Sequence, residues 1–371
     1  MTTTTRRLSL LLLLAACSDS SDQVTAPSFA AGDTAFCVTL GADYKNNVGA
    51  MAAVALPSLT VTKDILHGAT SGDPVLRAFG KKLYVINRTA GNVTIVDATN
   101  GSDWSVESQF STGSTSNPQD VAVAGNKLYV ATYAGTGLQV WDLTTKTQTK
   151  MVDLSSYDPD GVPNAQSVAV SGSFAYVTLD LLDTATPPSP RGVGKVVVVD
   201  TSNDTVKTAL DLNFPDPYGM FVAKGSTLLV PTLADFSGVD GCVEQVVTGA
   251  TPDVGSCLVK NSDLGFATVS AIAVGTNGTY LAVSAFDAHF NQTASLRQLD
   301  AQGHLAAQAM TPSTELPTDV AFAPSGQLVY ADQAGGGIRV YDLATQKELT
   351  TMPLNIGLGP ASQNGIVCMA R

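Results

Sequence analysis

His67, His289 and His304 are the only three imidazoles in 371 residues. They are the only side chains available whose ordinary range suits acid–base chemistry near neutral pH. The stretch "DAHF" (287–290) sets Asp287 two residues before His289 and offers the best acid–base pair in the chain. A lone loop histidine is more often structural or exposed, so no catalytic residue is assigned. No GxSxG supplies a nucleophile elbow. "RGVGKVVVVD" (191–200) lacks the GxxxxGK[ST] of a phosphate loop and leads into a strand, and "AGGGIRV" (334–340) reads as a turn between strands. Asp180, Asp235, Asp287 and Asp332 could each donate to a metal, but they do not fall at one equivalent position. "YDPDGVP" (157–163) is first a Pro/Gly turn and a poor calcium loop. No metal and no cofactor is expected. Five cysteines lack the CxxC spacing of zinc or redox sites.

These residues need a scaffold, and an internal repeat supplies one. "NPQDVAVAGNKLYVATYAGTGLQVWDLTT" (117–145) returns as "LPTDVAFAPSGQLVYADQAGGGIRVYDLAT" (316–345). Partial copies start near 73, 165, 217 and 269. Each unit has a short apolar strand, a Gly turn, an "LYV" strand, a polar turn, a third strand ending in Asp and a more polar fourth strand. Period-two alternation between short turns specifies antiparallel sheets. Spacings of roughly 45–50 residues match a four-stranded propeller blade. The fold expected is an all-β propeller.

Six starts leave both ends of the chain over. "GPASQNGIVCMAR" (359–371) resembles a first strand, and "DTAFCVTLGADYKNNVGAMAAVAL" (33–56) resembles second and third strands. Joined, they make a seventh blade that hides otherwise open edges. Seven is the count expected, with six or eight as the alternatives. The closure places Cys37 beside Cys368, where a bridge would tie almost the whole chain into one loop. Cys242 and Cys257 would then pin the irregular "GCVEQVVTGATPDVGSC" stretch. The other reading is two buried free pairs.

Propeller sites lie on the face where first strands begin and second strands end. Reading that face blade by blade, the residue two places beyond the "YV" pair is Asn87, Thr132, Leu179, Thr232 and Ala285, and the next is Arg88, Tyr133, Asp180, Leu233 and Phe286. The offset sixth copy adds Asp332 and Gln333. First-strand starts add Gln119, Asp120, Gln166, Ser167, Tyr218, Asp319, Gln363 and Asn364. The ligand-binding candidates are Asn87, Arg88, Tyr133, Asp180, Tyr218, Asp287, His289, Asp319, Asp332 and Gln333. Trp104 and Trp141 are too few for an aromatic substrate platform.

The net charge is −12, with 14% charged residues and no Lys/Arg cluster beyond the amino terminus. An electrostatic footprint for nucleic acid is therefore missing. The start, "RRLSLLLLLAACSDSSD" (6–22), has two arginines, an apolar run too short to span a membrane, and small residues ahead of Cys17. The run Leu14-Ala15-Ala16-Cys17 resembles the bacterial lipobox. That likeness implies a signal peptide at 1–16, lipidation of Cys17, a tether at 17–32 and a propeller domain at 33–371. Several acyl chains on one residue give stable anchoring. The expected location is the bacterial cell envelope, at the outer membrane and periplasm or the cell surface.

With "LYVIN", "LYVAT" and "AYVTL" in second strands, and "VTIVD", "LQVWD" and "IRVYD" in third strands, the repeat resembles the YVTN family of bacterial β-propellers. The likeness covers most of 33–371 and implies architecture only, since that superfamily spans surface-layer-associated proteins, lactonase-like propellers and quinoprotein amine dehydrogenase large chains. The function expected is a non-catalytic, monomeric binding module for an envelope protein or a small molecule, touching the membrane through its lipid alone. The alternatives are a lactonase- or lyase-like enzyme and a redox subunit of the amine dehydrogenase kind.

Overall fold

The computed structural model describes residues 26–101, 103–183, 189–233, 240–286, 289 and 291–371. Its strands form seven antiparallel blades. From first (inner) strand outward, blade 1 is Pro74–Phe79, Lys82–Asn87, Asn92–Asp97 and Ser105–Ser111. Blade 2 is Pro118–Ala124, Lys127–Thr132, Gly137–Asp142 and Thr147–Asp153. Blade 3 is Ala165–Ser171, Phe174–Leu179, Lys195–Asp200 and Thr205–Asp211. Blade 4 runs from Val222–Lys224 through Thr227–Pro231 to Cys242–Val247, which pairs with both Asp253–Val254 and Val259–Lys260. Blade 5 has three strands, Thr268–Gly275, Gly278–Phe286 and Gln292–Leu299. Blade 6 is Pro317–Phe322, Gln327–Asp332, Gly337–Asp342 and Lys347–Glu348.

Blade 7 is built from both ends of the chain. Ile366–Ala370 is its inner strand, followed outward by Ala35–Asp43, Val48–Leu56 and Val61–Thr62. Cys37 pairs with Cys368 in register and the two are disulfide-bonded across 331 residues. Cys242 and Cys257 form the second bridge. The expected tether overlaps this blade. Phe29 packs against Phe36 as a tilted ring pair with centroids 5.3 Å apart, and Ser28 N–H donates to Thr62 Oγ1 at 2.9 Å. Arg371 lies over the Phe29 ring and donates to the Ala30 carbonyl at 3.1 Å. Apolar and hydrogen-bonded contacts thus carry the domain upstream of the expected boundary at 33. Cys17, the signal segment and the first part of the tether lie outside the described residues.

The core is divided into seven clusters, one between each pair of neighbouring blades. The "LYV" tyrosines serve as wedges in them. Tyr84, Tyr129, Tyr176, Tyr280 and Tyr330 are all buried. A buried phenol needs a partner. Tyr129 donates to Asp204 Oδ1 in blade 3 at 2.5 Å, Tyr176 accepts from Gly249 N–H in blade 4 at 2.8 Å, and Tyr330 donates to Glu315 Oε2 at 2.8 Å. In blades 1, 2, 3 and 6 the third strand ends in an Asp that builds the next turn. Asp97 accepts from Thr99 N–H, Asp142 from Thr144 and Thr145 N–H, Asp200 from Ser202 N–H and Asp342 from Ala344 N–H.

A second set of bonds joins inner strands around the channel. Asp120 accepts from Arg77 Nε and Nη2 at 2.7 Å each, from Ser167 Oγ at 2.8 Å and from Val168 N–H at 3.0 Å. Ser167 Oγ accepts in turn from Phe221 N–H, whose carbonyl takes Arg77 Nη1. The Arg77 guanidinium thus ties blades 1, 2 and 4 across the channel. Asp319 is the counterpart of Asp120 in blade 6, accepting from Gly365 and Ile366 N–H at the entry to blade 7.

Candidate functional site

A polar cavity of about 360 Å³ opens where first strands begin and second strands end. It is lined by Arg88, Gln119, Tyr133, Gln166, Asp180, Leu182, Asp216, Tyr218, Leu233, Ser362 and Gln363. Two repeat positions produce it. Arg88, Tyr133, Asp180 and Leu233 each follow a second strand in blades 1 to 4. They are fixed by one recurring bond: Arg88 N–H to Asp73 O, Tyr133 to Asn117, Asp180 to Asn164 and Leu233 to Asp216, at 3.0–3.2 Å. Gln119 and Gln166 stand at first-strand starts, where β-bulges skip them in the pairing of Pro118/Asp120 and Ala165/Val168. Such bulges re-aim a side chain out of the ladder. Here they put both amides in the cavity wall.

The electrostatics are uneven. Arg88 is the cavity's one basic residue, and its Nη2 is held by Asp73 at 2.5 Å while Nη1 donates to Gln119 at 3.1 Å. Asp180 is 4% exposed, and among the described residues its Oδ1 has no hydrogen-bond partner. Burial, then the Asp216 charge beside it, pushes its carboxyl well above the usual carboxylate range, opposed by the Tyr133 hydroxyl. Burial lifts Asp216 to about 6. Burial also raises the Tyr133 phenol, with the Asp180 and Asp216 charges adding to it. Tyr218 is raised to about 12 by burial, with Arg88 opposing.

Four of the ten expected ligand residues meet here: Arg88, Tyr133, Asp180 and Tyr218. Four others are committed to the scaffold. Asn87 is buried, accepts from Ser71 N–H and donates to Ala69 O and Asn92 Oδ1. Asp319 joins blades 6 and 7. Asp332 accepts from Leu316 N–H, Gly335 N–H and Arg339 Nε, shaping the turn of blade 6. Gln333 donates to the Pro360 carbonyl at 2.8 Å. Asp287 lies outside the described residues, so the Asp287–His289 pair does too. His289 is exposed and is not among the cavity's lining residues.

The other histidines sit at the surface, His67 beside Asp64 and His304 beside Asp300, each 3.1 Å away. The "YDPDGVP" carboxylates face Arg191, at 3.2 Å from both Asp158 and Asp160. Sequence reading missed Asp216 as a cavity residue. It occupies the position of Asp73, Asn117 and Asn164, the Asx residue that precedes an inner strand, and that recurrence was the available signal.

A second cavity of about 320 Å³ lies in the channel between the inner strands, its wall mixing Leu76, Met220 and Ile272 with Arg77, Asp319 and Asn364. Among the described residues, one set of three His, Cys, Asp or Glu groups converges closely enough for a metal: Cys242, Glu244 and Cys257. Its two sulfurs are spent in the disulfide, and Glu244 accepts from Asn213 N–H, Asn213 Nδ2 and Phe214 N–H.

No protein-family model and no curated protein matches the sequence. Solved structures do match the fold. The apo structure of AztD from Citrobacter koseri aligns over 91% of this chain and 98% of its own, at 14% identity and a TM-score of 0.54. The β-propeller domain of Cps50 (Swd1) from Myceliophteria thermophila aligns over 82% and 96%, at 11% identity and 0.58. Hydrazine synthase from Kuenenia stuttgartiensis aligns over 78% and 89%, at 16% identity and 0.56. At these identities the likeness extends to the propeller fold alone.

Proposed function

We propose that this chain is an exported, lipid-anchored β-propeller that binds a ligand at the polar mouth of its channel without transforming it. The observation that carries the reading is the convergence of Arg88, Gln119, Tyr133, Gln166, Asp180, Asp216 and Tyr218 from the first four blades on one cavity. Concave sites with a few convergent polar groups are the usual form of a small-molecule site. A rigid ring that holds variable loops suits recognition. The test is native mass spectrometry of the protein after exposure to an extract of its own cell envelope. Wild type should retain a bound species that Tyr218→Ala and Gln166→Ala variants release. Equal retention by all three would place the site elsewhere.

One observation favours a second, hydrolytic reading. A carboxyl near 6 such as Asp216 is suited to acid–base work. Its support is narrower, because the histidine that reading needs stands outside the cavity wall. Turnover of lactone substrates that Asp216→Asn abolishes would establish it over binding alone.

Anchoring rests on the sequence "LAAC" at 14–17. Metabolic labelling with a fatty acid should mark the wild-type protein and leave Cys17→Ala unlabelled in the soluble fraction. Labelling of both would place the acyl chain on another residue.

A further inference from the structure

Taking the binding reading as its basis, we infer that the cavity recognises the ammonium group of a small organic amine, held between Asp180 and Asp216 with the Tyr133 and Tyr218 rings beside it. Four observations lead there. The first is charge. Arg88 is neutralised by Asp73, and among the described residues neither Asp180 nor Asp216 has an ion-pair partner. The ionisable groups left unpaired in the wall are therefore both acidic.

The second is the orphaned acceptor. A buried carboxylate oxygen with no donor costs free energy until something donates to it. Asp180 Oδ1 is such an atom, in a residue that lines the cavity. An ammonium brings three donors to that position. The third is the aromatic pair. A cation is attracted to the faces of phenol rings, most strongly where water is scarce. The fourth is size, since about 360 Å³ falls at the small end of ligand cavities.

A divalent ion fits this wall less well. Calcium takes six to eight oxygens and transition metals prefer imidazole or thiolate. Among the described residues no third carboxylate, imidazole or thiolate converges with Asp180 and Asp216.

Binding also gains a pH dependence. An ammonium favours the ionised form of both carboxyls, so it must displace the protons that burial favours. Arg88, Asp73, Tyr133 and Tyr218 are the charged and titratable groups facing the pair, and Tyr44 adds a phenol at the rim, bonded to Ser362 Oγ at 3.0 Å. Burial sets the Asp216 midpoint at about 6, so affinity should fall as pH drops through that range.

The experiment is titration calorimetry on the purified protein with four probes: n-butylammonium, neutral n-pentanol, anionic butyrate and calcium chloride. Butylammonium should bind saturably at pH 8 and more weakly at pH 5, where its binding should release protons. Its affinity should drop about tenfold in Asp180→Asn and in Asp216→Asn, the scale of one lost ion pair. Retained affinity in both folded variants would overturn the inference, as would calcium binding in place of the amine. Binding of pentanol or butyrate that Tyr218→Ala removes would refute the amine while leaving the binding cavity intact. If no probe bound and no envelope species were retained, both readings would fall together.

Discussion

Replacing Asp216 by asparagine should make the protein more stable, and only where Asp216 is ionised. In an unfolded chain its carboxyl titrates near 3.9, and in the fold burial raises it to about 6. Between those values the native state holds more protons than the unfolded state, so stability falls as pH rises. The contribution is fully present below about pH 4 and is lost as pH passes through the folded value. A displacement of about two units corresponds to about 3 kcal/mol at most. Asp216 is half-buried at an open cavity, and solvent screening reduces this to about 1–2 kcal/mol. Asparagine keeps the shape and cannot ionise. Urea unfolding of wild type and Asp216→Asn at about pH 4 and pH 8 reads the effect, because groups that do not interact with Asp216 cancel in the difference, and the relief of Asp180 adds in the same direction. The variant should match wild type at the lower pH and exceed it by about 1–2 kcal/mol at the higher. A gap that is independent of pH, or one favouring wild type at pH 8, would refute the reasoning.

The two disulfides should differ in value. In the chain-entropy account, the bridge across 331 residues contributes about 5–6 kcal/mol and the bridge across 15 about 3 kcal/mol. Urea unfolding of the paired alanine variants should rank Cys37/Cys368 as the costlier loss, and the reverse order would contradict blade 7 as the lock of the ring. Asp120→Ala strands Arg77 in the channel and should cost about 3–5 kcal/mol. An unchanged urea midpoint would show that the inner-strand bonds do not hold the ring. Tyr129→Phe removes a buried hydrogen bond to a charged acceptor and should cost about 1.5–3 kcal/mol, read the same way.

How much of this was legible beforehand divides by residue. The blade grammar was legible because strand alternation, turns and the "LYV" repeat point to one architecture. Expected starts near 118, 165 and 317 coincide with Pro118, Ala165 and Pro317. The Cys37–Cys368 bridge followed from closing the ring, and Cys242 and Cys257 were the pair that remained. The candidate site was legible at one position and misleading at its neighbour, for a reason that lies in the strand. Successive side chains alternate between faces. Asn87, Thr132 and Thr232 therefore turn into their own blades, where the two threonine hydroxyls donate to the carbonyls of Gly137 and Cys242. Arg88, Tyr133, Asp180 and Leu233, one residue later, face the cavity. Asp319 misled because its carboxylate suggested a ligand, whereas its burial and backbone partners make it the ring's counterpart to Asp120. Asp216 was passed over for Tyr218, two residues on, because no single stretch shows that an Asx before each inner strand accepts the next bond.

Adjacent residues do opposite work at the mouth, which explains how one ring can carry unlike sites. Asp120 is buried and joins three blades, while Gln119, one residue earlier, lines the cavity. Ser167 passes the chain of bonds to Phe221, while Gln166 before it lines the cavity. The bulges at 118–120 and 165–168 separate the two tasks within one strand. Substitution at the outward position leaves the inner-strand bonds and the seven interblade cores untouched, so stability constrains it little. Asp180 and Asp216 go further, because their burial near one another works against the fold. On the amine-binding inference, a bound cation offsets that cost. The stabilisation expected of Asp216→Asn and its expected loss of amine affinity are two measurements of that single cause.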